Sequence, residues 1–208
     1  MSKKIKAGKA KHTKVGFSVS AAGGADLVKR LRKLENGGEK AIQRTVSDFA
    51  SRAPGWVSQG IREHYGISRD DVLDHAPRVK RGKTSIKVAG VTVDEVSLEY
   101  SGRLLTPTHF KMKPATRPAR KKTYRVSAEI IKGKRTNLNS RAFLGRAGKE
   151  GTTTIPWQRV GDGRLPVRPV KTLSVPQMID GRAKETINEI INENLEKRFN
   201  NQIKRIMK

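Results

Sequence analysis

Cysteine is absent from the 208 residues, which excludes a disulfide framework, a thiolate nucleophile and any cysteine-based zinc site. The usual small zinc modules that bind nucleic acid go with it. Apolar residues are scarce as well: 35% of the chain is hydrophobic and 5% aromatic, against roughly 45–50% apolar in an ordinary globular chain. Part of the sequence is therefore expected in arms and loops rather than in a core. No run of about 18 apolar residues is present to span a bilayer. Nor does an apolar run of about 7–15 residues follow Met1-Ser2-Lys3-Lys4, as a secretory signal requires. A soluble protein made and assembled in a cytoplasm, with no membrane partner, is the expectation.

Patterns that carry catalysis are missing too. His12, His64, His75 and His109 include no i,i+4 pair and no HExxH helix, so no zinc-helix signature exists. No GxxxxGK[ST] loop occurs, and Gly161-Asp162-Gly163 leads into Arg164-Leu165-Pro166 and a strand instead of a phosphate-cradling helix. Asp94, Glu95 and Glu99 alternate along a strand candidate and so point to opposite faces, which does not make an acid/base pair. Asp70, Asp71 and Asp74 with His75 form the one acidic cluster beside a histidine. A hard cation could sit there, but charge complementing a helix start is the simpler reading. Neither an enzyme nor a cofactor is expected.

What the chain has in excess is positive charge: 45 lysines and arginines against 19 acids, a net +26. Such an excess repels itself in a compact monomer and attracts polyanions. Nucleic acid, an acidic protein surface and an anionic membrane all meet that requirement. The basic residues cluster in 1–14, 78–87 and 111–135, where they would bind phosphates by releasing counterions without reading sequence. The candidate contacts are Lys3, Lys4, Lys6, Lys9 and Lys11 in the first segment, and Lys111, Lys113, Arg117, Arg120, Lys121 and Lys122 in the last. Electrostatic attachment to acidic neighbours in an assembly is the alternative.

Along the chain, residues 1–14 lack acids and nearly all bulky apolar side chains, so a flexible basic arm is expected. Val15, Phe17 and Val19 alternate as a strand does. Helical spacing follows from Asp26 to Leu34 and again through Ala41, Ile42, Val46, Phe49 and Ala53, with a break expected at Pro54-Gly55. Trp56, Val57, Ile61 and Tyr65 continue helical, and Ser68 with Asp71 resembles a capping box opening a short helix to Leu73. From about residue 84 to 170 the pattern turns to strands, including Val88, Val91, Val93, Val96, Leu98 and Tyr100, then 123–126 and Ile130-Ile131. Six bases and two prolines in 111–122 predict a projecting basic loop. After Pro176, apolar residues recur every three or four positions to Ile206, predicting one long amphipathic helix. Ile179, Ile187, Ile191, Leu195 and Phe199 lie on its stripe, expected to pack on the domain and in part on another subunit. The resulting class is α+β: N-terminal helices on a mostly antiparallel sheet, with basic extended arms. The division is a 1–14 arm, a 15–174 domain and a 175–208 helix.

Residues 164–179, RLPVRPVKTLSVPQMI, resemble the minor tail protein Z family of lambdoid phages and prophages, whose members lead from a Leu-Pro-(Ile/Val) stretch into a Ser-Val-Pro-Gln-Met helix start. Lys40-Ala41-Ile42-Gln43-Arg44-Thr45, Ile61 to Ile67 (IREHYGI) and Arg141-Ala142-Phe143-Leu144 are similar to its other elements, so the likeness runs over roughly 38–180. Lys171-Thr172-Leu173 stands where the family more usually has Tyr-Gly-Pro. The resemblance implies a non-enzymatic tail-completion subunit of the virion, in a ring, by family a hexamer, at the head-proximal end of the tail. Tail terminator and head-tail connector proteins would be its neighbours, and genomic DNA a nonspecific contact. A ribosomal or nucleoid-type nucleic-acid-binding protein fits the charge equally but leaves LSVPQM unexplained.

Overall fold

The computed structural model describes residues 12–15, 36–74, 78–88, 91–119, 123–139, 141–147 and 151–206. The expected helix over 26–34, most of the Val15 to Val19 strand and the first five candidate lysines lie outside them.

A 29-residue helix, α1 (Asn36–His64), runs through Pro54 without stopping. Proline removes one backbone donor and crowds the preceding turn. The helix persists because Ala53, Val57 and Ile61 flank that point on one face, and all are fully buried. A short helix α2 (Arg69–Leu73) follows, capped by Ser68 as its sequence predicts: Asp71 N–H donates to Ser68 Oγ at 3.0 Å. Its acids sit at the positive end of the helix, and Val72 inserts into the core.

Strands β1 (His12–Val15), β2 (Arg78–Val88) and β3 (Val91–Ser101) form an antiparallel sheet in the order β1-β3-β2. The last three residues of the expected arm are thus strand, pairing with Glu99, Tyr100 and Ser101. Since β1 reaches only Leu98–Ser101, the β2–β3 ribbon is three-stranded at its base and two-stranded beyond. The basic segment 78–87 is β2, on the ribbon's outer strand.

The remaining strands make two smaller antiparallel units. One is the hairpin β4 (Ser127–Ile131) and β5 (Lys134–Asn137). The other is the sheet β6 (Ala142–Ala147), β7 (Thr153–Arg159) and β8 (Val167–Pro169), in that order. Residues 123–126, expected as strand, are irregular. A tyrosine side chain takes the place of a ladder partner there: Leu144 N–H donates to Tyr124 Oη at 2.9 Å.

The C-terminal stripe is divided between α3 (Val175–Asp180) and α4 (Lys184–Ile206). The expected single helix is interrupted where Gly181 leaves helical backbone (φ −87°, ψ −129°) and Arg182 N–H donates to Tyr65 Oη at 3.3 Å. The stripe itself is covered within the chain. Ile179, Ile187 and Ile191 are fully buried, with Leu195 packed against them, in a core shared with α1, Leu98 and Tyr100. Farther along, Phe199 and Ile203 meet Ala41 and Ile42, so α4 runs antiparallel to α1. All five positions pack against the chain's own core, because α1, without its expected break, is long enough to reach them.

The fold is α+β, with three small antiparallel sheets among the described residues in place of one. The segment before α3 ties the helices to the irregular stretch after β3. Leu105 and Leu173 pair through Leu105 N–H to Leu173 O (3.2 Å) and Thr172 N–H to Leu105 O (2.7 Å). Ser174 then caps α3 in a full capping box with Gln177, and Val175, Pro176, Met178 and Ile179 are buried. Ser174→Ala removes one side of that box and should cost about 1–2 kcal/mol, read from urea unfolding.

Candidate polyanion-binding surface

Between residues 101 and 149 the sequence has 14 lysines and arginines but one acid, Glu129. Any further counter-charge on this part of the surface has to come from another segment or another molecule.

The 111–122 loop is closed at its neck by a backbone pair. Lys113 and Ser127 each donate N–H to the other's carbonyl at 2.8 Å. Met112 anchors it by burying against Val126 and Leu144. Lys111 holds a left-handed backbone (φ 45°), which a non-glycine residue adopts at a cost of about 1 kcal/mol. Its carbonyl accepts from Arg135 Nη1 at 3.0 Å, and its Nζ lies 3.5 Å from Glu129 Oε1. Glu129 also accepts from the Gly133 N–H at 3.1 Å and faces Arg135 Nη2 at 3.9 Å. One carboxylate thus ties the loop base to the β4–β5 turn. Beyond the neck Lys113 and Arg117 are exposed, beside Arg125, Lys132, Lys134 and Arg135. Arg120, Lys121 and Lys122 lie outside the described residues.

The Gly133 N–H, then the charges of Lys111 and Arg135, hold the Glu129 carboxyl below the ordinary glutamate value against a smaller opposing effect of burial. A depressed folded pKa contributes stability that is present above the unfolded value and lost as pH falls through the folded one. The loop base should therefore stay tied at neutral pH and loosen only in acid, below the usual glutamate range. A side-chain NMR titration checks this: the Glu129 midpoint should lie below that of glutamate in an unstructured peptide.

A second cluster emerges from strand register. Phe143 stands directly across from Trp157 in the β6–β7 ladder, with Arg141 just before β6 and Arg159 at the end of β7. Phe143, Trp157 and Arg159 share one face, because alternate residues point the same way. The other face carries Ala142 and Leu144, both buried. Gly145 leaves room for the indole on the outer face: a Cβ there would lie 2.8 Å from Trp157 Cδ1. Arg159 lies over the Phe143 ring, 5.9 Å from its centroid. Arg141 is met by Asp162, Nη1 to Oδ1 3.0 Å, in a pair whose carboxylate side chain is 93% exposed. Tyr124, Arg125, Arg141, Phe143, Arg159 and Asp162 line an open depression here.

Sequence reasoning picked out the loop but missed this face. Phe143 and Trp157 are 14 positions apart and meet only through the ladder. The signal was present in the alternation of Arg141, Phe143 and Gly145 and of Ile155, Trp157 and Arg159.

The acidic cluster does structural work. Asp71 accepts from Ser68 Oγ (2.6 Å) and bonds His109 Nδ1 (2.6 Å), joining α2 to the 3-10 turn Pro107–His109. His64 is also engaged, Nε2 to Thr186 Oγ1 2.8 Å. Among the described residues no group of three or more histidines and acids could hold a metal ion. No described helix is long and apolar enough to cross a membrane. No known protein family, curated protein or solved structure matches this chain.

Proposed function

We propose that this protein is a structural subunit of a phage tail, a tail-completion or neck protein whose basic surface meets DNA or acidic neighbours by charge. The observation that carries the reading is the 164–179 segment: Leu165 in its first half is exposed, while its Ser174–Ile179 part is a capped, buried helix start that follows β8. A surface loop could keep such a pattern by chance, whereas here Ser174, Gln177, Pro176 and Met178 each have a defined structural task. The basic loop and the one-acid stretch around it support the same reading, since a subunit beside channel DNA needs uncompensated positive charge.

Ring formation, with six copies in the family's manner, belongs to this proposal. The contacts would come from sheet edges such as β8 and the outer strand β2, because the helical stripe is occupied internally. Mass spectrometry of purified particles should find the chain in tails, and its deletion should leave filled heads and tails unjoined. Normal joined particles from the deletion strain would refute the assignment.

A further inference from the structure

We infer that the outer face of β6–β7 is a binding site for single-stranded nucleic acid, with bases stacked on Phe143 and Trp157 and phosphates held by Arg141, Arg159 and Arg125. The inference rests on the nucleic-acid contact in the proposed function and gives it a place and a strand form. Proteins that hold unpaired strands combine ring faces, on which any base stacks, with cations that follow the backbone. This face supplies both. Phe143 and Trp157 are half-buried, so they are fixed in place yet accessible. Large rings directly across a ladder on a solvent-facing surface, where a polar pair would be the ordinary choice, need a reason to be there.

The arginines carry the second half. Arg141 and Arg159 both line the depression beside Phe143, where two like charges repel each other. Each is accommodated by a substitute: Asp162 for Arg141 and the Phe143 ring for Arg159. The Arg141–Asp162 pair is exposed on both sides, so water and salt weaken it and a phosphate can displace the carboxylate. Asp162 then acts as an internal competitor for the phosphate site. An acidic protein surface would satisfy the arginines but has no use for the paired rings. Duplex DNA keeps its bases stacked on one another and offers these rings nothing.

Trp56 is partly buried against the core near Phe49, with ring centroids 6.3 Å apart, so Trp56→Phe leaves Trp157 as the reporter. In that background oligodeoxythymidine should quench tryptophan fluorescence and bind more tightly than a duplex of equal length. Phe143→Ala and Trp157→Ala should each weaken binding about tenfold, within the range that one stacked base contributes. Their salt dependence should not change. Arg141→Gln and Arg159→Gln should each reduce the slope of log affinity against log salt by about 0.7, one phosphate on a single strand. Asp162→Asn should tighten binding several-fold.

Both arginines are exposed, so those variants keep the question open to refutation even if an aromatic variant fails to fold. Equal binding of duplex and single strand, no quenching, or polyglutamate binding as tightly as the oligonucleotide would each overturn the inference. All of these are read on the isolated protein. Absence of the chain from tails would sink the proposed function while leaving a quenched, salt-dependent strand complex intact.

Discussion

Gly66→Ala should destabilise the protein by about 3 kcal/mol, at the upper end of what an overpacked site usually costs. The chain leaves α1 at Tyr65 and pairs at once with the β4–β5 hairpin: Tyr65 bridges Ile131, Gly66 N–H donates to Ile130 O at 3.1 Å, and Lys132 N–H donates to His64 O at 3.0 Å. A Cβ on Gly66 would collide with the Glu129 carbonyl oxygen and come within 3.1 Å of its carbon. Backbone on both sides is fixed by those hydrogen bonds, so neither can move without breaking the dock. The built-in contrast is Gly55, inside α1, where a Cβ would meet nothing within 4 Å. Alanine there should stabilise by roughly 0.5–1 kcal/mol through helix propensity alone. Urea unfolding of the two variants should shift in opposite directions. Equal shifts would mean that the hairpin does not dock on the end of α1 as described.

The same dock explains why parts of the fold were legible and parts were not. Local chemistry wrote the Ser68 cap, the Ser174 cap and the valine-rich strands, because a cap or an alternation needs only its near neighbours. The continuity of α1 was not legible. Proline opposes a helix locally, and what overrides it is burial of Ala53, Val57 and Ile61 by α4 and β3, distant in sequence. The break at Gly181 has the reverse cause. The apolar period runs straight through it, and only the Tyr65 hydroxyl, 117 positions away from Arg182, supplies the alternative partner for the backbone.

The candidate site divides the same way. Charge is a property of composition, so the basic loop could be read directly from Lys111 to Lys122. The paired rings of Phe143 and Trp157 depend on register, which a sequence carries only through the faces that its strands bury. Ala142 and Leu144 set that register by going into the core. The packing of Ile187, Ile191 and Phe199 was legible for the same reason, although a stripe says only that something covers it and not which element.

Replacing Lys111, Lys113, Arg117, Arg120, Lys121 and Lys122 together by glutamine should abolish most of the salt-sensitive affinity for duplex DNA and impair tail joining, with helix content unchanged. Met112 and the Lys113–Ser127 backbone pair anchor the loop, and neither is touched by the substitution. Six like charges in 12 residues repel one another, with screening only beyond about 8–10 Å at ordinary salt, so an anionic partner offsets a standing cost. If all six neutralise phosphates, the slope of log affinity against log salt should flatten by about 5. Wild type would then lose about a thousandfold in affinity between roughly 50 and 200 mM salt, where the variant loses far less. A dock onto an acidic protein would depend on shape as well as charge and would leave the DNA slope unaltered while joining still fails. That result would move the loop from the DNA to a neighbouring ring. Full infectivity and DNA retention in the substituted phage would instead make these six residues a solvated surface and remove the loop from the functional site.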